Sequence, residues 1–426
     1  MRDLLVLLLV FGSLPYILKR PYIGVLVWSW LSYMNPHRLT WGFAYSMPFA
    51  QIVIGVLVIS MIMSKEPKGL PKSGTLTIWI MFILWMMLTT ALAIYPHYAV
   101  TELSRVLKIQ FATFLTMMLI RDQEKMNQLI WVIAMSIGFF SIKGGVFTIL
   151  SGGSFRVWGP PGSFIEDNNG LAVATLMVIP LMIYLRHIST NKWVRHGLSF
   201  SVVMSFASAI GSQSRGALLA TLAVGGFFWL KSKSKMITGS LFVVAGVIGL
   251  AFMPESWYAR MDTIQNYQED ESAMGRINAW IYSINVASSR ITGAGFNSWS
   301  LENYAIYNPD AKDVLVAHSI YFHLLADQGW IGLVMFLTIL LLTWKNLSYV
   351  IRMSKDKPKF DHQNMLARML QVSLIAYMSG GAFLSLSYFD LPWHMIALAL
   401  LLRVHTHFDE PHKGVNRRRN GFAGVT

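Results

Sequence analysis

The chain contains no cysteine. That excludes disulfides, thiolate nucleophiles and cysteine-ligated metals, and says little about compartment. It is also poor in charge: Asp, Glu, Lys and Arg make up 13% of its 426 residues, against about 25% in ordinary soluble domains. Acids are the scarcer kind, 21 against 35 Lys and Arg. What fills the chain instead is apolar. Hydrophobic residues reach 54%, with 25 Met, 25 Phe, 15 Trp and 16 Tyr, and the mean hydropathy is +0.48. Such hydrophobicity excludes disorder. The net charge is nevertheless +14. A nucleic-acid-binding protein would carry its basic residues on a wet surface, so no nucleic-acid partner is expected. Few charges with a positive excess fit an all-α polytopic membrane protein with Lys and Arg in its cytoplasmic loops.

A membrane helix needs about 20 mostly apolar residues. Apolar segments fall at 49–63, 75–95, 103–120, 129–150, 170–185, 198–213, 216–230, 236–253, 319–344, 368–388 and 392–404. Two more, 4–18 and 21–34, are separated by Lys19, Arg20 and Pro21. No small-residue cleavage site follows the first of them, so it reads as a retained anchor. Positive residues set the orientation. Lys65, Lys68 and Lys72 mark one loop; Arg121 and Lys125 another; then Arg186, Lys192 and Arg195; Lys231, Lys233 and Lys235; the run from Lys345 to Arg368; and the tail from Arg403 onward. These hold 22 of the 35 positive residues and alternate with the remaining loops from residue 64 onward. They are expected in the cytoplasm. The expected count is twelve spans with both ends inside, which requires residues 4–34 to cross an odd number of times. The expected organisation is an N-terminal bundle over 1–253, a large outer loop over 254–316, C-terminal spans over 317–404 and a basic tail over 405–426. The outer loop carries eight acids and four bases, the reverse of the chain as a whole.

Positive residues that lie on the outer side or inside spans run against this bias, which makes them informative. Arg156 lies in the Gly/Pro-rich loop Phe155-Arg156-Val157-Trp158-Gly159-Pro160-Pro161-Gly162. Arg215 sits in the outer turn Ser212-Gln213-Ser214-Arg215-Gly216. Arg276 lies in the long loop, and His318 opens the span that follows it. Arg105 and Lys108 are one turn apart near an outer span end, and Lys143 is inside a span. Guanidinium forks bind phosphate oxygens and stay charged at any working pH. An imidazole with a pKa near 6.5 can take a proton from a hydroxyl. Together they suit a lipid-linked phosphate or pyrophosphate leaving group and a hydroxyl nucleophile. No His/Glu metal spacing is visible, so arginines rather than a metal are expected to neutralise the leaving diphosphate, and no cofactor is expected. Each residue also has a plainer role. Arg105 and Lys108 fit headgroup anchors, Lys143 a snorkelling lysine, and Arg156 a brace for its loop. Arg260 and Arg290 have acidic neighbours to pair with. His37, His97 and His394 read as interfacial.

From Arg276 to Ser289 apolar residues recur at Ile277, Trp280, Ile281 and Ile284, spaced i, i+3, i+4, i+7. That predicts an amphipathic helix, either lying on the membrane as a lid over the outer span ends or packed on the rest of its loop. The turn Gly293-Ala294-Gly295-Phe296 follows.

These segments, in this order, resemble the O-antigen ligase and polymerase superfamily of bacterial inner-membrane proteins. Arg156 with Gly159 and Asp167-Asn168-Asn169-Gly170 resembles its Arg-x-x-Gly…Asn segment. Gln213-Ser214-Arg215-Gly216 resembles its Ser-Arg-Gly motif, and Gly275-Arg276 with Trp280 and Gly293-Ala294-Gly295-Phe296 resembles its large periplasmic loop. Ala317-His318-Ser319-Ile320-Tyr321 with Leu325-Ala326-Asp327-Gln328-Gly329 and Gly332 resembles its His-Asn-x-Tyr-Leu…Leu-Ala-Glu-x-Gly-x-x-Gly motif. Ser319 replaces the usual Asn and Asp327 the frequent Glu. The first 50 residues resemble a subgroup of O-glycosylation ligases associated with exosortase systems.

The resemblance implies a GT-C-like glycosyltransferase of the bacterial inner membrane, with its active site facing the periplasm. It would ligate O-antigen from undecaprenyl pyrophosphate onto lipid A–core, a step of lipopolysaccharide biosynthesis at the cell envelope, by a metal-independent, inverting displacement. His318 would be the general base. Arg215 and Arg276 would hold the pyrophosphate, joined by Arg156, Arg105 and Lys108, with Ser214, Tyr321 and Asp327 supporting. An O-antigen polymerase or a protein O-oligosaccharyltransferase would use the same lipid-linked donor. A lipid or solute transporter would place its charges at the midplane and repeat its halves, and neither feature is visible.

Overall fold

The structure, a computed structural model, describes residues 1–231, 234–251, 255, 258 and 271–406. Arg260 and the expected basic tail beyond Thr406 lie outside the described residues. The described chain is helical, with no strand among its elements. In order these are α1 (Arg2–Lys19), α2 (Tyr22–Met34), α3 (Phe49–Met63), α4 (Gly74–Ala91), α5 (Pro96–Leu119), α6 (Gln123–Leu150), α7 (Asn168–Ile188), α8 (Lys192–Gly211), α9 (Arg215–Lys231) and α10 (Lys235–Ala251). There follow α11 (Glu271–Ser289), α12 (Leu301–Tyr307), α13 (Ile320–Ser354), α14 (Asp361–Gly380) and α15 (Asp390–His405). Every apolar segment expected from residue 49 onward therefore holds a helix. Residues 4–34 form two helices broken at Arg20-Pro21. Among the described residues, α4, α6, α7 and α13 are long and apolar enough to cross a membrane by length and composition, and α2, α3 and α9 are shorter apolar helices.

Polar side chains fix where the helices start. The hydroxyl of Ser73 accepts from the Leu76 N–H at 3.1 Å, Asp122 from Lys125 at 2.8 Å, and Asn191 from Trp193 at 2.9 Å. Each satisfies a donor that the helix leaves open at its first turn. Two helices are buried almost all round, α7 and α15. α7 packs against α6, α8, α9 and α14, and α15 against α5, α13 and α14. The N-terminal helices are pinned to this core by polar contacts. The Tyr33 hydroxyl lies 2.8 Å from Nδ1 of His394, and Ser32 hydrogen-bonds Asp390. His394, expected from sequence to be interfacial, is not. It is fully buried between Tyr33, Thr116 and the ring of Trp28, because α15 is enclosed by neighbours on every side.

α13 is longer than the expected span and is interrupted at Gly329, whose φ of 66° and ψ of −174° break the helical path. The break receives the turn after α11. The Ala294 N–H donates to the Ala326 carbonyl at 2.8 Å and the Gly295 N–H to the Asp327 carbonyl at 3.0 Å, while the Ile94 N–H donates to the Ala294 carbonyl at 2.9 Å. So close an approach explains the glycines. A Cβ on Gly329 would stand 2.3 Å from the Ile291 carbonyl oxygen, and one on Gly295, at φ +80°, would stand 2.2 Å from the Ala93 Cβ. Residues 271–316 have a small core of their own, in which the rings of Tyr282 and Tyr304 stack at 4.5 Å.

The buried face of α11 is not the one its isoleucines mark. Gly275, Ala279, Tyr282, Ser283 and Val286 are buried, whereas Ile281 and Ile284 are 41% and 40% exposed and Ile277 is half-buried. Small residues let α11 approach α13 closely, and Tyr282 anchors it on Tyr304. The isoleucine stripe is left pointing outward.

Candidate functional site

His318 stands just before α13. Its backbone is left-handed, with φ of 42°, a conformation that carries strain for a non-glycine residue. The flanking residues hold it there. Ala317 is fully buried, and its carbonyl oxygen accepts the Trp280 indole N–H at 2.8 Å. Ser319 is fully buried at the N-cap of α13, and its own carbonyl accepts the His323 N–H at 2.9 Å. The Ser319 side chain makes no capping bond. The imidazole itself is exposed. Its pKa is pulled below the ordinary 6.5, first by partial desolvation and then by the Arg276 charge, with Asp167 pulling the other way. The three side chains are thus within electrostatic reach of one another, and the imidazole is neutral at neutral pH.

Asp167 caps α7. Its Oδ1 accepts the N–H groups of Asn169 and Gly170 at 2.9 and 3.0 Å. Beside it, buried Asn168 donates to the Ser212 carbonyl at 2.7 Å, which fastens the start of α7 to the turn that carries Arg215. That turn is shaped by Gln213, at φ 54°, whose amide donates to the Gly153 carbonyl at 2.9 Å. Ser214 is a cap: its Oγ accepts the Ala217 N–H at 3.1 Å. Arg215 is the first residue of α9 and is half-buried.

The Arg215 turn and the His318 loop meet on one support, the end of α14. A Cβ on Gly216 would stand 3.4 Å from the Phe383 Cβ, and one on Gly381 2.8 Å from Ile320 Cδ1. The Tyr321 hydroxyl donates to the Met378 carbonyl at 2.9 Å. Trp280 stacks on Phe322 at 4.8 Å and lies 6.4 Å from Phe383. Residues separated by more than 100 positions are thereby gathered at one end of the bundle.

Other expected residues sit differently. Arg105 lies over the Phe164 ring at 3.8 Å and 3.7 Å from Glu102, at the edge of the gathering. Arg156, Lys108 and Lys143 are exposed. Arg290 is structural, as expected, but through carbonyls rather than acids: it donates to Gly293 at 3.0 Å and Leu92 at 2.8 Å. Asp327 is fully buried two to three turns beyond His318. Its Oδ2 accepts the Tyr388 hydroxyl at 3.0 Å and lies 3.3 Å from His323 Nε2. It serves the break in α13 and does not touch His318.

Sequence reasoning missed Trp280 as the clamp on the His318 loop, Asn168 as the tie to the Arg215 turn, and the Met378–Phe383 support. It also missed Asp310 and Asp313, an Asp-x-x-Asp pair that is exposed after α12. The Asp-x-x-Asp spacing of Asp310 and Asp313 and an N-cap signal at Asp167 were legible in the sequence; the contacts of Trp280, Asn168 and the Met378–Phe383 support were not.

The arrangement offers a neutral imidazole and two guanidinium groups at the ends of helices, which suits proton abstraction from a hydroxyl beside an anionic leaving group. Comparison with known families agrees with that chemistry. A family model described as O-antigen ligase matches residues 171–337, which takes in Arg215, Arg276 and His318. A family of unknown function (DUF5935) matches residues 1–190. No curated protein matches the chain. Residues 171–337 are thus similar to the O-antigen ligase family over the part of the chain that carries these three residues.

Proposed function

We propose that the chain ligates O-antigen from undecaprenyl pyrophosphate onto lipid A–core at the periplasmic face of the inner membrane. The observation that carries this reading is His318: an imidazole at the protein surface, held in a left-handed backbone and kept neutral by partial desolvation and the Arg276 charge. In this reading the acceptor sugar hydroxyl gives its proton to His318 as its oxygen attacks the anomeric carbon. The bond to the pyrophosphate breaks with inversion, and Arg215 and Arg276 take up the charge that develops on the leaving group. Arg105, at the edge of the site, adds to the positive field around the donor, and Arg156 and Lys108 contact its outer parts or the surrounding headgroups.

Reconstitution tests this. Purified protein is mixed with lipid-linked glycan and lipid A–core as the only substrates, with and without chelator. Glycan capping of lipid A–core by wild type and not by His318→Ala is the expected result, unaffected by chelator. Loss of activity in chelator would bring Asp310 and Asp313 into the mechanism. Chain lengthening with lipid-linked glycan alone would make the chain a polymerase, and transfer to a protein hydroxyl but not to lipid A–core would make it a protein O-oligosaccharyltransferase.

A further inference from the structure

The outward isoleucine stripe of α11 is partly exposed, and it leads somewhere at both ends. Ile277, Ile281 and Ile284 follow the spacing i, i+4, i+7 along one face, with Ile281 and Ile284 about two-fifths exposed. Just past the helix end, Ile291 continues the line at 70% exposure. The backbone of Ile291 abuts Gly329 at the break in α13. Trp330 comes next and opens the outward face of the long apolar part of α13, with Val334 a turn further on; they are 47% and 59% exposed. An apolar track therefore runs from the outer flank of a membrane-length helix, over the break, and along α11. At its far end stand Arg276, in electrostatic reach of His318, and Trp280, bonded to the His318 loop. Residues 276 to 291 cover about 20 Å at the helical rise.

We infer that this track carries the hydrocarbon chain of the donor, a polyprenyl diphosphate whose head group ends at Arg276. The inference rests on the transfer reaction proposed above. Two features favour a single lipid over general contact with the membrane surface. A helix that lies flat on a bilayer has a polar, basic face opposite its apolar one. The opposite face of α11 is instead buried in protein through Ala279, Tyr282 and Val286, and its last turn holds no basic residue. Arg290, just beyond, is committed to the Gly293 and Leu92 carbonyls. The positive charge on the track thus sits at one end, which matches an amphiphile with one anionic head and a linear tail.

Because the chain lacks cysteine, single reporters are direct. Ile281→Cys, Ile284→Cys and, as an exposed position off the track, Ile306→Cys are labelled with bimane in phosphatidylcholine nanodiscs. Adding undecaprenyl diphosphate is expected to shift bimane emission to shorter wavelength at positions 281 and 284 and not at 306. In parallel, Ile284→Glu is expected to raise KM for the full-length lipid donor by about tenfold while leaving KM for a short, water-soluble prenyl analogue unchanged. Binding of undecaprenyl diphosphate is followed separately by native mass spectrometry. Binding without a shift at 281 or 284 overturns the track and leaves the transfer reaction standing. A shift already complete in nanodiscs without the diphosphate makes the stripe a membrane contact and likewise overturns it. Absence of binding overturns both readings.

Discussion

Trp280 donates its indole N–H to the Ala317 carbonyl oxygen at 2.8 Å, one residue before His318. The helix that carries Arg276 and the loop that carries the imidazole are joined by this bond, and the stack of Trp280 on Phe322 at 4.8 Å backs it. Trp280 therefore helps to set the placing of His318 relative to Arg276.

Trp280→Phe keeps the stack and removes the donor. A net hydrogen bond contributes about 0.5–1.5 kcal/mol, so transfer is expected to slow by roughly two- to tenfold with thermal stability nearly unchanged. Measurement of kcat beside the unfolding midpoint checks this; an unaltered kcat would show that the bond does not position His318.

His318→Ala should remove transfer almost wholly, since a positioned base supplies about 10²–10⁴-fold in rate. The side chain is exposed, so the variant is expected to fold and insert as wild type does. Wild-type capping of lipid A–core by cells carrying only this variant would refute the assignment.

The pH profile should follow the imidazole. Its pKa lies below 6.5 because partial desolvation and Arg276 disfavour the charged form, and a base works only when deprotonated. Activity is therefore expected to stay level through neutral pH and fall on acidification with a midpoint under 6.5. A profile of kcat/KM that falls with a midpoint above that value would contradict the environment described for His318.

Arg215→Lys keeps the charge and loses the planar fork. If the contact with the diphosphate is bidentate, donor KM should rise and kcat fall, by about tenfold or more in kcat/KM. Full activity of the lysine variant in a purified assay would count against a bidentate contact.

Gly295→Ala tests the clip on α13. At φ +80° an alanine is strained, and its Cβ would stand 2.2 Å from the Ala93 Cβ. A loss of about 1–3 kcal/mol is expected, read as a lower unfolding midpoint. An unchanged midpoint would mean that Ala93 moves aside at no cost.

The positions of the apolar helices from residue 49 onward were determined by the sequence alone. Apolar runs and the polar breaks between them are local properties of the chain, and each run from residue 49 onward became a helix. The candidate chemistry was legible for the same reason: Arg215, Arg276 and His318 are among the residues that stand outside the basic loops. Tertiary structure decided how they meet. The face that α11 presents to the protein is set by close approach through Gly275 and Ala279 and by Tyr282 stacking on Tyr304, which a count of isoleucines along one helix cannot register. The role of Trp280 depends on a carbonyl 37 residues away, and that of Gly295 on Ala93 at the far end of another helix. Hydrophobic periodicity reports that a side chain prefers to leave water. Which neighbour it meets is fixed only when distant segments pack, and in this protein that packing joins the His318 loop to the helix that carries Arg276.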